Sequence, residues 1–167
     1  MRQVDVMLQE LEQEAQTTRR LLERVPDEQL GWKPHPKART LGELALHVAV
    51  VPGLVASFAC APSPMQEPKF DRDPSPATSA ELLPALDQSI ATAKAQVGAL
   101  SDAALAETWR LVRGDREVMA IPVGAVLRTI MLNHWYHHRG QLSAYLRELD
   151  VAIPSIYGPS ADESPFA

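Results

Sequence analysis

Asn133–Leu142, "NHWYHHRGQL", carries three of the chain's five histidines, all between His134 and His138. At about 100° per residue, an α-helix stacks His134 and His138 on one face, one turn apart. Leu127, Met131, Leu142 and Tyr145 fall on or beside that face, so it is expected to point into a core. His137 falls to one side, Arg139 well away from the face and Tyr136 nearly opposite. What lies across that face is read from the rest of the chain.

Outward from there, 167 residues suit one domain, 1–167, with a continuous core. An apolar share of 46% argues for a globular chain, and its bias to Ala, Leu and Val, with 5% aromatics, for packed helices. The 16 basic and 21 acidic residues leave a net charge of −5, with no basic run to engage a nucleic-acid backbone. No uninterrupted apolar run reaches the roughly 18 residues needed to cross a bilayer. The opening "MRQVDVMLQELEQEAQ" is amphipathic and acidic, unlike a signal or transit peptide. A single cysteine, Cys60, excludes an internal disulfide framework and agrees with a reducing compartment. The expected setting is cytoplasmic, with neither nucleic acid nor membrane as partner.

Val4, Leu8, Leu11, Ala15, Thr18, Leu22 and Val25 form one helical stripe that Pro26 closes. Residues 26–39, "PDEQLGWKPHPKAR", are a connector in which His35 stands exposed between prolines. A second helix opens at Thr40, which forms a capping box with Glu43, and runs to Cys60. It is apolar nearly all round, and Pro52-Gly53 predicts a kink or an early end. Residues 61–77, with five prolines, read as an irregular crossover. A third helix runs from Thr78, again with a capping box to Glu81, to about Leu100. "TWRLVRGDREVMAIPV" (108–123) then reads as a hairpin turning at Gly114-Asp115. A last helix runs from Pro122 or Val123 to about Leu149, followed by a proline-rich arm, 153–167. The expected fold is therefore all-α: a four-helix bundle with a long crossover and a small hairpin before the last helix.

An H-x-x-x-H pair is how one helix offers two imidazoles to one metal ion. Trp135 follows His134 where the H-E-x-x-H proteases need glutamate, so that class is excluded. His47 lies in the most apolar helix, flanking the face of Leu44, Val48, Val51 and Val55. Buried imidazoles without partners cost free energy, so each is either hydrogen-bonded in the core or shares a cation with the others. His47, His134 and His138 around one divalent ion would make a facial set with open positions and no carboxylate. Such an ion would depress the pKa of a bound water or thiol.

"TLGELALHVA" (40–49) followed by "NHWYHHRGQLSAYLRELDVAIPSIYGPSADE" (133–163) resembles the DinB/YfiT-like four-helix metalloenzyme family (the damage-inducible family, not the DNA polymerase). The connector "PDEQLGWKPHPKARTLGEL" (26–44) shares in the likeness, which covers essentially the whole chain. The resemblance implies a bundle, commonly a homodimer, with a divalent metal held by His47, His134 and His138. It also implies thiol-dependent transfer to a small electrophilic substrate, the thiol being bacillithiol, mycothiol or glutathione. The ligands suit zinc or nickel first, with iron, copper or manganese also open. Two rivals use the same ligands: metal-dependent hydrolysis, and a non-catalytic dimeric bundle stapled by its ion.

His137 reads as a surface residue, a neighbour of the ligands or a fourth ligand, and Arg139 as solvated, capping, in contact with another part of the fold such as the tail, or in contact with substrate. Gln141 projects near the histidine face, either to hydrogen-bond an imidazole or to pack in the core. Tyr145 reads as packing, Glu43 as cap and Cys60 as an inert thiol. Tyr157, Ser160 and Asp162 belong either to a lid over the site or to an arm packed on the helices or on a partner subunit.

Overall fold

The stripe from Val4 to Leu22 is the buried side of α1 (Gln3–Leu22) in the computed structural model of the chain, which describes residues 2–69 and 74–166. Asp5 in its first turn and Arg19 and Arg20 in its last complement the helix dipole. A 3₁₀ turn, Asp27–Gln29, then folds the connector back over the start of α2 (Leu41–Ala59). The carbonyls of Trp32 and Leu30 accept from the N–H groups of Leu41 and Gly42, at 2.7 and 2.9 Å. The Glu43 carboxylate accepts from the Thr40 N–H at 2.7 Å, and Thr40 Oγ1 from the Glu43 N–H at 3.2 Å. All four N–H groups that a helix start leaves open are thereby satisfied. Gly42 permits this closure, since a Cβ there would lie 2.7 Å from Ser75 Oγ and 3.2 Å from the Leu30 carbonyl.

Of the kink or early end expected at Pro52-Gly53, the early end does not occur: α2 runs through both residues. Proline cannot donate to the carbonyl four residues back, that of Val48. The buried indole N–H of Trp135 donates to it instead, at 2.7 Å. The Gly53 N–H donates to Ser89 Oγ at 2.8 Å, and the same hydroxyl donates to the Val50 carbonyl at 3.1 Å. A Cβ on Gly53 would sit 2.7 Å from the Ser89 carbonyl, so glycine allows the two backbones to touch. Residues that should break the helix serve as its contact points with other helices. By length and composition α2 could cross a membrane, but 67% of that span is buried inside the protein, as a core helix is.

The expected hairpin is present as β2 (Thr108–Arg113) and β3 (Arg116–Pro122), with Gly114 in the left-handed region at φ 60°. A third strand, β1 (Met65–Gln66), lies in the stretch expected to be irregular and pairs parallel with β2, Met65 opposite Leu111. The outer edge of β2 would otherwise expose open backbone groups, and β1 covers it. The all-α expectation is thus corrected to a mostly helical chain with a small three-stranded sheet in the order β1-β2-β3. Residues 70–73 of the expected crossover lie outside the described residues.

A 3₁₀ turn, Ser79–Glu81, leads into α3 (Leu82–Gly98). A short unpredicted helix, α4 (Asp102–Ala106), follows, capped by Ser101 Oγ accepting from the Ala104 N–H at 3.1 Å. The last helix is not one regular α-helix as expected. It consists of α5 (Val123–Val126), wider π-helical turns at Leu127–Asn133, and α6 (His134–Glu148). The Thr129 hydroxyl donates to the Ala125 carbonyl at 2.7 Å, competing for the acceptor a regular turn would use.

The core lies where α2 packs on α3 and on the last helix, and α1 on α3. Leu11, Leu44, Leu86, Leu127, Leu132 and Trp135 are fully buried there, each leucine contributing roughly 2 kcal/mol by leaving water. The C-terminal arm is clamped down. Tyr157 donates its hydroxyl to Glu14 at 2.8 Å, Ser160 Oγ donates to the Ile153 carbonyl at 2.6 Å, and Asp162 accepts from the Ile153 N–H at 2.9 Å. Arg147 pairs with Asp162, and Arg20 with Glu163. These are the bonds of an arm on α1 and α6, not of a lid.

Candidate metal centre

His47 stands two turns beyond the cap of α2, and His134 and His138 occupy the first two turns of α6. His47 and His138 are buried and His134 half-buried. The structure brings the three rings together from positions 87 residues apart. Their centroids lie 4.4 Å (His134–His138), 4.5 Å (His47–His138) and 5.5 Å (His47–His134) apart. One nitrogen from each falls within 4.8 Å of the others, an arrangement that could hold a metal ion.

Nε2 of His47 and Nε2 of His134 are 3.2 Å apart. Two bare lone pairs at that distance repel, so the pair needs a proton or a cation between them. Two imidazole nitrogens sharing an ion at about 2.0–2.1 Å, with an angle near about 100°, are separated by about 3.2 Å. The spacing fits a shared ion.

His138 Nδ1 lies 2.6 Å from Gln141 Oε1. With the proton on Nδ1, donated to that oxygen, the other ring nitrogen keeps its lone pair. Burial pushes His138 down to about 4; the Gln141 bond opposes this, while His47, His134 and Arg39 add to it. At neutral pH the ring is therefore uncharged, as a ligand must be.

The positive charge of Arg39, at the end of the folded-back connector, acts on His138 and also on the Tyr145 hydroxyl. Tyr145 packs edge-on against Trp32 with centroids 5.6 Å apart, and burial raises its hydroxyl. Connector and α6 thus meet beside the histidines. Arg39 carried no signal in the sequence beyond standing next to the cap residue.

The other candidates fall outside the cluster. His137 is exposed, its ring 5.0 Å from and nearly perpendicular to that of His138. His35 is exposed and accepts the Lys37 N–H at 3.1 Å. Glu43 is engaged in the cap, and burial raises the half-buried Cys60 thiol, which keeps it protonated.

Arg139, expected to be solvated, capping or in contact with the tail, is deeply buried and does reach the tail. Its side chain, 2% exposed, pairs with Glu14 at 2.5 Å. It donates to the Glu14 carbonyl and to Thr18 Oγ1, each at 3.2 Å, and also bonds the Tyr157 hydroxyl. Its guanidinium also lies 5.1 Å from the ring centres of both Tyr136 and Tyr157. Burial first, then Glu14, pushes the Tyr157 hydroxyl up to about 12. Sequence reasoning missed Glu14 and Trp135. Glu14 directly precedes Ala15 of the buried stripe, and the proline in α2 was the signal for a donor such as Trp135.

Comparison with known proteins agrees along the length of the chain. The DinB family model matches residues 1–165. The uncharacterized protein YrdA of Bacillus subtilis (strain 168) is 31% identical over 164 residues, covering 96% of this chain and 91% of that protein. A DinB-like protein from Bacillus cereus ATCC 10987 superposes with a TM-score of 0.71 at 21% identity, over 94% of this chain and all of that one. The DinB-like protein YjoA from Bacillus subtilis superposes with a TM-score of 0.64 at 18% identity, over 94% and 98% of the two chains.

Proposed function

Because the chain belongs to the DinB family, we propose that it is a divalent-metal-dependent enzyme that transfers a low-molecular-weight thiol to a small electrophile. The observation that carries this is the 3.2 Å approach of His47 Nε2 to His134 Nε2 beside a neutral, Gln141-oriented His138. His47, His134 and His138 would hold the ion, zinc or nickel first by ligand type. With no carboxylate among the ligands, a divalent ion there keeps its full charge and lowers the pKa of a thiol or water that reaches it.

What the chain itself supplies is orientation and exclusion of water. Gln141 holds His138 in one tautomer, and burial keeps that ring uncharged. His47 and His138 are themselves buried, which limits the access of bulk water to two of the three rings. In the transfer, the sulfur forms a bond to the electrophilic carbon as the leaving group departs with its electron pair. The thiol proton is released to solvent or to the leaving group. The mutual packing of α1, α3, α2 and the last helix supports reading the fold as a four-helix bundle. A homodimer in the cytoplasm acting on a small molecule completes the proposal.

Elemental analysis and cobalt substitution test it. The expected result is one metal per chain, lost in His47→Ala, and a visible cobalt spectrum that changes on adding bacillithiol, mycothiol or glutathione. Protein without stoichiometric metal, or His47→Ala with undiminished uptake, overturns the site. Turnover of simple esters or amides without any thiol would replace transfer by hydrolysis.

A further inference from the structure

Helix α2 contains a proline in its buried middle, which leaves the carbonyl four residues back without its usual helical donor. It is that of Val48, and the indole N–H of Trp135 reaches it at 2.7 Å from the last helix. Val48 and Trp135 are both fully buried. Each is also the immediate successor of a site histidine: His47-Val48 on one helix and His134-Trp135 on the other. This directional bond therefore joins the two helices one residue from the 3.2 Å contact between their histidines.

We propose that Trp135 is the positioning residue of the histidine site, and that Pro52 is what makes it so. Apolar contact between two helices is non-directional and tolerates sliding of side chains past one another. A buried hydrogen bond does not, because displacing it leaves a donor and an acceptor unsatisfied. With any other residue at position 52, a backbone N–H would compete for the Val48 carbonyl within the helix, and the tryptophan's anchor would be weakened. Proline keeps that acceptor open for the other helix, and the bond sets the depth and axial position at which His134 meets His47. The affinity part of the test below rests on the metal reading; the positioning itself does not.

The experiment separates positioning from simple satisfaction of a buried carbonyl. Trp135→Phe removes the donor, and Pro52→Ala in that background gives Val48 a helical N–H in its place. The double variant is expected to melt close to the wild type. It should also bind cobalt at least about tenfold more weakly, with an altered visible spectrum. In the metal-free protein, the nuclear Overhauser contact between the His47 and His134 rings should weaken. Wild-type cobalt affinity and spectrum together with an undiminished ring contact in the double variant overturn the proposal. If the wild type takes up no cobalt, the metal reading fails, and the ring contact alone decides the positioning. If the double variant does not fold, benzothienylalanine at position 135, which replaces the N–H by sulfur and keeps the ring's shape, is put to the same two readouts.

Discussion

His138 unites burial and chemistry in a single side chain. Burial holds its pKa at about 4 against an ordinary 6.5. Between those values the unfolded chain binds a proton there that the folded chain refuses. The stability of the metal-free protein therefore rises with pH across the window and is lost as pH falls through it. In a proton NMR titration of metal-free protein, the His138 ring is expected to titrate near 4. A midpoint near 6.5 would mean that the ring is open to water. At this scale the sequence was informative where roles follow from spacing along one helix. The pairing of His134 with His138 and the reach of Gln141 toward the imidazole were both legible from steps of four and three. Arg39 was not, since its effect on His138 depends on how the connector folds back over α2.

The helices show where local rules hold and where packing overrides them. The capping box at Thr40 and Glu43 formed as expected, because cap chemistry is settled within four residues. The helix did not end at Pro52, where a donor from another helix answers the missing hydrogen bond. The π-helical turns at Leu127–Asn133 also escaped the pattern, which looks alike for a regular helix and one with an extra residue wound in. The end of α6 carries a local fault. Asp150 takes φ 56° so that Val151 N–H can reach the Leu146 carbonyl at 3.0 Å and its own N–H that of Arg147 at 3.1 Å. This is the double closure of a helix end, at a position that favours glycine. Asp150→Gly is expected to stabilise the fold by about 0.5–1 kcal/mol in urea denaturation. A loss of stability would mean that the Asp150 side chain has a role beyond its backbone angle.

Across the whole molecule, the buried pair of Arg139 and Glu14 joins α1, α6 and the C-terminal arm through Tyr157. Removing one partner strands the other's charge in a dry site. Arg139→Leu is thus expected to cost about 3–5 kcal/mol in chemical denaturation. Adding Glu14→Leu should recover much of that loss; no recovery would mean that the hydrogen bonds to Thr18 and Tyr157 matter more than the charge. The sequence by itself determined which residues α1 turns inward, that α2 is apolar nearly all round and capped at Thr40, and that three histidines lie on inward or flanking faces. These properties follow from the period of the helix and the chemistry of a single turn, both local to a few residues. Only the tertiary structure decided that Trp135 answers Pro52, that Arg139 meets Glu14, that Met65 joins β2, and that His47 comes within 3.2 Å of His134. Each of these joins groups remote in the chain, and their separation is set by how whole elements pack, which no local pattern encodes.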